Sequence, residues 1–456
     1  MHQDQNSLRR GLKNRHIQMI ALGGAIGVGL FLGSATAIKL AGPSVILSYI
    51  LGGIIVFFLL RALGELTVVD PSPGSFSLYA QKLFGSFSGY LTGWTYWSMW
   101  IFAVMAEISA IGLYVSFWFP DFPPWISALI AAVLLTVVNL VIVEMYGELE
   151  FWLALIKVLA IICMIIMGFG IIFIGIGNGG IPLGISNLYI HGGFMPFGIK
   201  GVILGLSIAI FSYTGVELIG VAAGEAKDPK KSIPSAINKV FWRILIFYIL
   251  SIFVILSIYP WNHFGELGSP FVLVLKKLDI YYAAGIMNFI VLTAAFSGCN
   301  GGIFSTGRML YSLAQNNNAP KIFTKVNKNK IPYIGIIFSF LCYLCGVIVN
   351  YITPNQAFVY LISVTAFAAL WTWATIFALQ LKFRKNLSKQ ELDNLTYKMP
   401  FYPYSGIICF LAVIIVGIVM VLNPITKIAI YAGSIWISFL TICYFIKNKL
   451  AQNKNI

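Results

Sequence analysis

Charge is what this sequence has least of. Only 10% of its 456 residues are Asp, Glu, Lys or Arg, and 59% are hydrophobic, whereas a water-soluble domain devotes about a quarter of its residues to charge. A soluble globular fold is excluded on that ground. Histidine is as scarce: His2, His16, His191 and His263 are scattered over the N-terminal segment and the connections between apolar runs. An enzyme set into a membrane would gather His, Asp or Cys at one surface, so an enzyme is not expected. The six cysteines, Cys163, Cys299, Cys342, Cys345, Cys409 and Cys443, all fall inside apolar runs, which argues against a disulfide framework or a metal site. Cys342 and Cys345 form a CxxC, but in an apolar helix the pair reads as packing. No cofactor is therefore expected. Nothing resembles a selectivity filter or a ring of charge, so a channel is disfavoured as well. Residues 1–16 are polar, without an apolar core and small-residue cleavage site, and read as a cytoplasmic tail rather than a signal peptide.

Long apolar runs are present in abundance. A helix needs roughly 20 apolar residues to cross the hydrocarbon core, and by that measure twelve candidate spans run at about 17–41, 43–67, 88–119, 123–143, 149–176, 199–224, 238–260, 282–313, 333–351, 355–381, 404–422 and 427–447. The fold class expected is an all-α integral membrane protein. With the N-terminus inside, all but six of the 30 basic residues fall in cytoplasmic segments. Lys39, Lys200, Lys276, Lys277 and Lys427 are outside, and Lys157 lies within the membrane. That asymmetry predicts that both termini are cytoplasmic, and it explains a net charge of +15 that would suggest nucleic acid in a soluble chain.

Two spans carry residues that a continuous helix would not choose. The first reads Ala21-Leu22-Gly23-Gly24-Ala25-Ile26-Gly27-Val28-Gly29-Leu30-Phe31, and the sixth reads Phe211-Ser212-Tyr213-Thr214-Gly215-Val216-Glu217. Glycines alone also serve close packing of membrane helices. The positions of the two segments say more: five spans apart, they would start two five-helix units that enter the membrane from opposite sides. This predicts a transporter built as an inverted repeat, with its site between two discontinuous helices near the midplane. The units expected are a tail over 1–16, a first repeat over 17–176, a second over 199–381, two further helices over 404–447 and a tail over 448–456.

Backbone unwound inside lipid persists only where protein, water or ligand provides partners. A zwitterion suits both sets, since half-helix N-termini offer N–H groups to a carboxylate and C-termini offer carbonyls to an ammonium. Gly27 and Gly29 would let a carboxylate approach the backbone, with Val28 contributing its N–H. The substrate side chain would face spans three, six, eight and ten, with Phe211 as a candidate lid. Ionisable residues inside spans are functional candidates by default, and four stand out. Arg61 lies one turn from Glu65 near the cytoplasmic end of span two, where snorkelling and a local ion pair suffice. Glu107 and Glu217 are candidate carboxylates for substrate or proton, each also readable as a hydrogen-bonded structural group. Lys157 sits two turns into span five, and an ammonium removed from water is poised to exchange its proton. It is the candidate proton-coupling residue, the rival reading being a permanent ion pair.

These residues, with Arg10-Gly11-Leu12-Lys13-Asn14-Arg15-His16-Ile17, Ala41-Gly42-Pro43-Ser44-Val45, Arg61-Ala62-Leu63-Gly64-Glu65-Leu66, Pro73-Gly74-Ser75-Phe76, Gly93-Trp94-Thr95-Tyr96-Trp97, Gly147-Glu148-Leu149-Glu150-Phe151-Trp152, Ala223-Gly224-Glu225-Ala226-Lys227-Asp228-Pro229 and Arg308-Met309-Leu310-Tyr311, closely resemble the bacterial amino acid permeases of the amino acid-polyamine-organocation superfamily. The resemblance covers nearly the whole chain. It implies a leucine-transporter-like fold of two inverted five-helix repeats plus two C-terminal helices, in the bacterial inner membrane, and proton symport of an amino acid. On matching positions, the substrate would lie against Ala25, Ile26, Gly27, Val28, Gly29, Phe211, Ser212, Thr214 and Gly215. Its carboxylate would meet the backbone of Gly27, Val28 and Gly29, and its ammonium the carbonyls near Ala25, Phe211 and Thr214. Lys157 matches the lysine that, in proton-coupled relatives, stands where others hold sodium. Val28 departs from the Thr or Ser usual at that position.

Among subgroups, Ala37-Ile38-Lys39, Gly175-Ile176-Gly177-Asn178-Gly179-Gly180, Ser257-Ile258-Tyr259-Pro260-Trp261-Asn262 and Ser269-Pro270-Phe271-Val272 are similar to the proline-specific permeases. Span eight and Glu107 are closer to the lysine and aromatic permeases. The expected substrate is a neutral or weakly basic L-amino acid such as proline or histidine, with a cationic amino acid or an exchange mechanism as alternatives.

Overall fold

The computed structural model describes residue 8 and residues 11–141, 143–264, 269–276, 282–353, 357–422 and 426–453. His2, Arg10 and Lys277, and residues 1–7, 9 and 454–456 of the two expected tails, lie outside the described residues. The helices are α1 (Asn14–Ala25), α2 (Ser34–Ala41), α3 (Val45–Val69), α4 (Ser75–Phe84), α5 (Ser86–Val115), α6 (Pro124–Asn139), α7 (Val143–Phe169), α8 (Gly198–Tyr213), α9 (Leu218–Ala222), α10 (Pro229–Ile258), α11 (Pro270–Lys276), α12 (Ala283–Gln315), α13 (Tyr333–Ile352), α14 (Ala357–Asn386), α15 (Lys389–Asp393), α16 (Tyr404–Leu422) and α17 (Lys427–Asn453). Among the described residues the extended structure amounts to a single bridge between Leu12 and Ala226. Helices predominate because the hydrocarbon offers no hydrogen-bond partners, and a helix satisfies its own backbone.

Ten stretches among the described residues are long and apolar enough to cross a bilayer. They account for the expected spans with two differences. The first stretch, Asn14–Val69, contains the first two expected spans, because the 3-10 turn Gly42–Ser44 joins α2 to α3 without a loop. The fourth expected span is the shorter apolar helix Pro124–Asn139.

Helix α5 is the centre of the bundle, with buried residues on all sides from Gly89 to Tyr114; it packs against α4, α6, α12, α13 and α14. Helices α16 and α17 are peripheral and turn apolar side chains such as Ile408, Leu411, Ile418, Ile435 and Phe445 outward, as lipid-facing surfaces do. The expected ion pair between Arg61 and Glu65 does not form. Glu65 is fully buried and faces α14, where Arg384 grips it in a fork at 2.6 and 2.8 Å and the Met399 N–H donates at 2.6 Å. Arg61 turns the other way, stacks on Tyr397 and donates to Asn238 and the Lys398 carbonyl. Across the helix interface Arg384 meets both carboxylate oxygens of Glu65 with its planar fork, beside the Met399 backbone donor.

Candidate functional site

Both interrupted segments are broken helices. α1 stops at Ala25, Ile26 leaves helical geometry (φ −89°, ψ 84°), and the chain resumes as a π-helix over Gly29–Gly33 that runs into α2. α8 stops at Tyr213, Thr214 is extended (ψ 135°), Gly215 takes φ +107°, and α9 begins at Leu218. Glycine is the residue that adopts such a φ freely. The breaks touch backbone to backbone: a Cβ on Gly215 would fall 2.4 Å from the Gly24 carbonyl oxygen.

A helix that ends in the membrane leaves its last carbonyls without partners, and at α1 they are met by Lys157. Its Nζ donates to the carbonyls of Gly23 at 2.6 Å and Ile26 at 2.8 Å and to Ser297 Oγ at 2.8 Å. An ammonium has three N–H donors, and all three are used. The side chain is fully buried and places a cation at the negative end of the α1 dipole. Two carboxyl groups flank it, Glu107 of α5 and Glu150 of α7.

Tyr248 of α10 connects the breaks. Its hydroxyl lies against the carbonyl oxygens of Ala25 and of Ser212, the latter at 2.6 Å. One hydroxyl carries one proton, so it satisfies one of the two carbonyls at a time and the other stays open to another donor. The rings of Tyr213 and Tyr49 hold it, with centroids 4.8 and 5.7 Å away, and Tyr49 OH is paired with Ser212 Oγ at 3.0 Å.

A cavity of about 20 Å³ sits between the breaks, lined by Gly24, Ala25, Gly27 and Gly29, by Trp100, Ala103 and Glu107 of α5, by Phe211, Ser212 and Thr214, and by Gly298 of α12. That is room for about one water molecule, so an amino acid enters this space only if the two broken helices part. Ile26, Val28 and Gly215 do not line it. Spans one, three, six and eight contribute; span ten instead reaches Glu217, through Trp373 Nε1 at 3.4 Å. Glu217 also accepts the Gly215 N–H at 3.2 and 3.3 Å. Its carboxylate is thus tied to the second break and does not face the cavity. Glu107 does face it, and its Oε2 is buried without a hydrogen-bond partner among the described groups. Gly27 and Gly298 make room for it, since a Cβ there would lie 3.1 and 2.4 Å from Glu107 Oε1.

Reasoning from sequence passed over Trp100, Ala103, Gly298, Tyr248 and Glu150. Glu150, two helical turns before Lys157, was the one with a readable signal, because residues i and i+7 share a helix face.

A model of the amino acid permease family matches residues 16–456. The chain belongs to this family. It is 51% identical to the amino acid permease YtnA of Bacillus subtilis (strain 168) over 99% of this chain and 98% of that one. It is 48% identical to the "Probable threonine/serine transporter YbxG" of the same organism, covering 96% of this chain and 95% of that one. It is also 44% identical to the aromatic amino acid transport protein AroP of Escherichia coli O157:H7, covering 99% and 98%. Among solved structures, a manganese transporter from Eremococcus coleocola (H236A mutant) superposes with a TM-score of 0.61 over 97% of this chain and 96% of that one, at 13% identity; this likeness is one of fold. A multi-pass membrane permease of the amino acid family therefore stands behind the broken helices, and the resemblance read in the sequence motifs extends over the chain.

Proposed function

We propose that this permease imports a neutral L-amino acid by proton symport, with the zwitterion held between the broken helices and Lys157 carrying the coupled proton. The observation that carries the reading is the placement of Lys157: its ammonium is bonded to carbonyls at the end of the first half-helix, so its charge state and the shape of the substrate site are linked. Proton loss leaves two N–H donors for three acceptors and removes the positive charge from the end of the half-helix, which loosens the break; proton gain tightens it.

The cavity offers both poles of a zwitterion a partner. The carbonyl that Tyr248 leaves open, at Ala25 or Ser212, suits the ammonium, and the start of the π-helix at Gly29, where N–H groups lack intrahelical acceptors, suits the carboxylate. Glu107 lies beside Lys157, whose ammonium offsets its charge, which favours a neutral over a cationic substrate side chain. The threonine/serine and aromatic substrates in the names of two relatives agree with that choice. The basic-residue asymmetry supports cytoplasmic termini in a bacterial inner membrane, and the paired breaks support inverted repeats over 17–176 and 199–381 with 404–447 appended.

Proteoliposomes without internal substrate test the coupling: each common amino acid is added outside while internal pH is followed. Acidification by a neutral amino acid supports symport; uptake that requires internal amino acid and moves no proton would make the protein an exchanger. A competition panel against labelled uptake identifies the substrate, and strongest competition by lysine or arginine would overturn the neutral assignment.

A further inference from the structure

We infer that Glu150 is the inward relay for the coupled proton, receiving it from Lys157 through the hydroxyl of Ser297. The inference deepens the symport reading and rests on it. Ser297 Oγ lies between the two groups: it accepts from Lys157 Nζ at 2.8 Å and donates to Glu150 Oε1 in a short hydrogen bond. Asn300 Nδ2 donates to the other carboxyl oxygen at 3.4 Å, and Asn139 Nδ2 to Asn300 Oδ1 at 2.9 Å. Glu150 is 1% exposed, on the same face of α7 as Lys157 and two turns nearer its N-terminal end, about 10 Å along the axis. In the proposed topology that end is cytoplasmic.

The backbone of α1 has been cleared to admit this carboxyl. A Cβ on Gly23 would fall 2.3 Å from Glu150 Oε1, and the Gly23 carbonyl is itself a partner of Lys157. Gly23 thus touches both ends of the relay and belongs to the first half-helix. Charge counting points the same way. Lys157 faces Glu150 and Glu107, and Tyr146 on α7 also faces Glu150. One ammonium beside two ionised carboxylates would leave a net negative charge in the membrane, which burial penalises heavily. Neutrality requires one proton on the lysine beyond the free amine and one on a carboxyl group, so two protons are shared among three sites. The relay step balances: one proton leaves Lys157 Nζ for Ser297 Oγ as the serine proton passes to Glu150 Oε1. The products are a neutral amine, an unchanged serine and a carboxylic acid, which returns the proton to water when the cytoplasmic side opens. Glu150 touches no substrate in this scheme and acts as a coupling residue.

The test uses the full-length protein in proteoliposomes, with L-threonine, L-serine and L-phenylalanine as probes. Substrate-driven acidification, concentrative uptake and counterflow exchange are measured for wild type, E150Q, E150D and S297A. Expected are loss of acidification and of concentration in E150Q and S297A with counterflow retained, and partial recovery of coupling in E150D. Wild-type acidification by E150Q or S297A overturns the relay. Should E150Q fail to fold, S297A, which keeps both ionisable groups, decides the matter alone. Failure of wild type to acidify with any probe would sink the underlying symport reading instead, so the two failures are distinguishable.

Discussion

Replacing Gly29 by alanine should block closure of the two broken helices on each other. The added Cβ would sit 2.7 Å from Ser212 Cα, 3.1 Å from Ser212 N and 3.0 Å from the Phe211 ring, against an optimal separation of about 3.5–4.0 Å between carbon atoms. The first two of those neighbours are backbone and cannot rotate aside, so the halves must separate by up to about 1 Å. Overpacking of this kind costs about 1–3 kcal/mol, equivalent to about a 5- to 150-fold shift of the closing equilibrium. Gly27 provides the control. A Cβ there meets one group within contact range, Glu107 Oε1 at 3.1 Å, the movable end of a side chain. Initial uptake rates of the two alanine variants, normalised to protein in the membrane, should therefore fall steeply for Gly29→Ala and at most several-fold for Gly27→Ala. Equal rates for Gly29→Ala and wild type, or a larger loss at Gly27, would refute the packing argument.

Further expectations concern the groups that hold the breaks. Lys157→Met should abolish proton-driven accumulation while some substrate binding survives; accumulation against a gradient by that variant would remove Lys157 from the mechanism. Tyr248→Phe leaves both Ala25 and Ser212 carbonyls without that hydroxyl and should weaken substrate binding by about 1–2 kcal/mol, roughly 5- to 30-fold, measured by ligand titration; unchanged affinity would mean that the hydroxyl does not orient the site. Arg384→Met strands the buried Glu65 carboxylate and should destabilise the fold by about 3–5 kcal/mol, visible as a lower unfolding temperature in detergent. Gly215→Ala forces a side chain onto a positive φ and into the Gly24 carbonyl, and uptake should be lost even where the protein is inserted normally.

Apolar length and the distribution of basic residues are local properties of a chain in lipid, and for that reason the membrane class and most helices were legible in the sequence. The two breaks were legible as well: four glycines within seven residues, and a polar run ending in Thr214-Gly215, announce backbone that will not stay helical. Lys157 could be singled out because a lone ammonium in an apolar run is costly wherever it points. Its partners were not readable, since Gly23, Ile26 and Ser297 lie more than 130 positions away and only the packing of α7 against α1 and α12 brings them together. The same holds for Glu65, whose guanidinium comes from α14 rather than from Arg61 one turn away. Glu107 and Glu217 look alike in sequence, yet tertiary packing turns one into the cavity and ties the other to Gly215 and Trp373. Residue type and spacing determine what a segment must do to survive in a bilayer; which buried polar groups meet is decided by how helices cross, and that depends on the whole bundle at once.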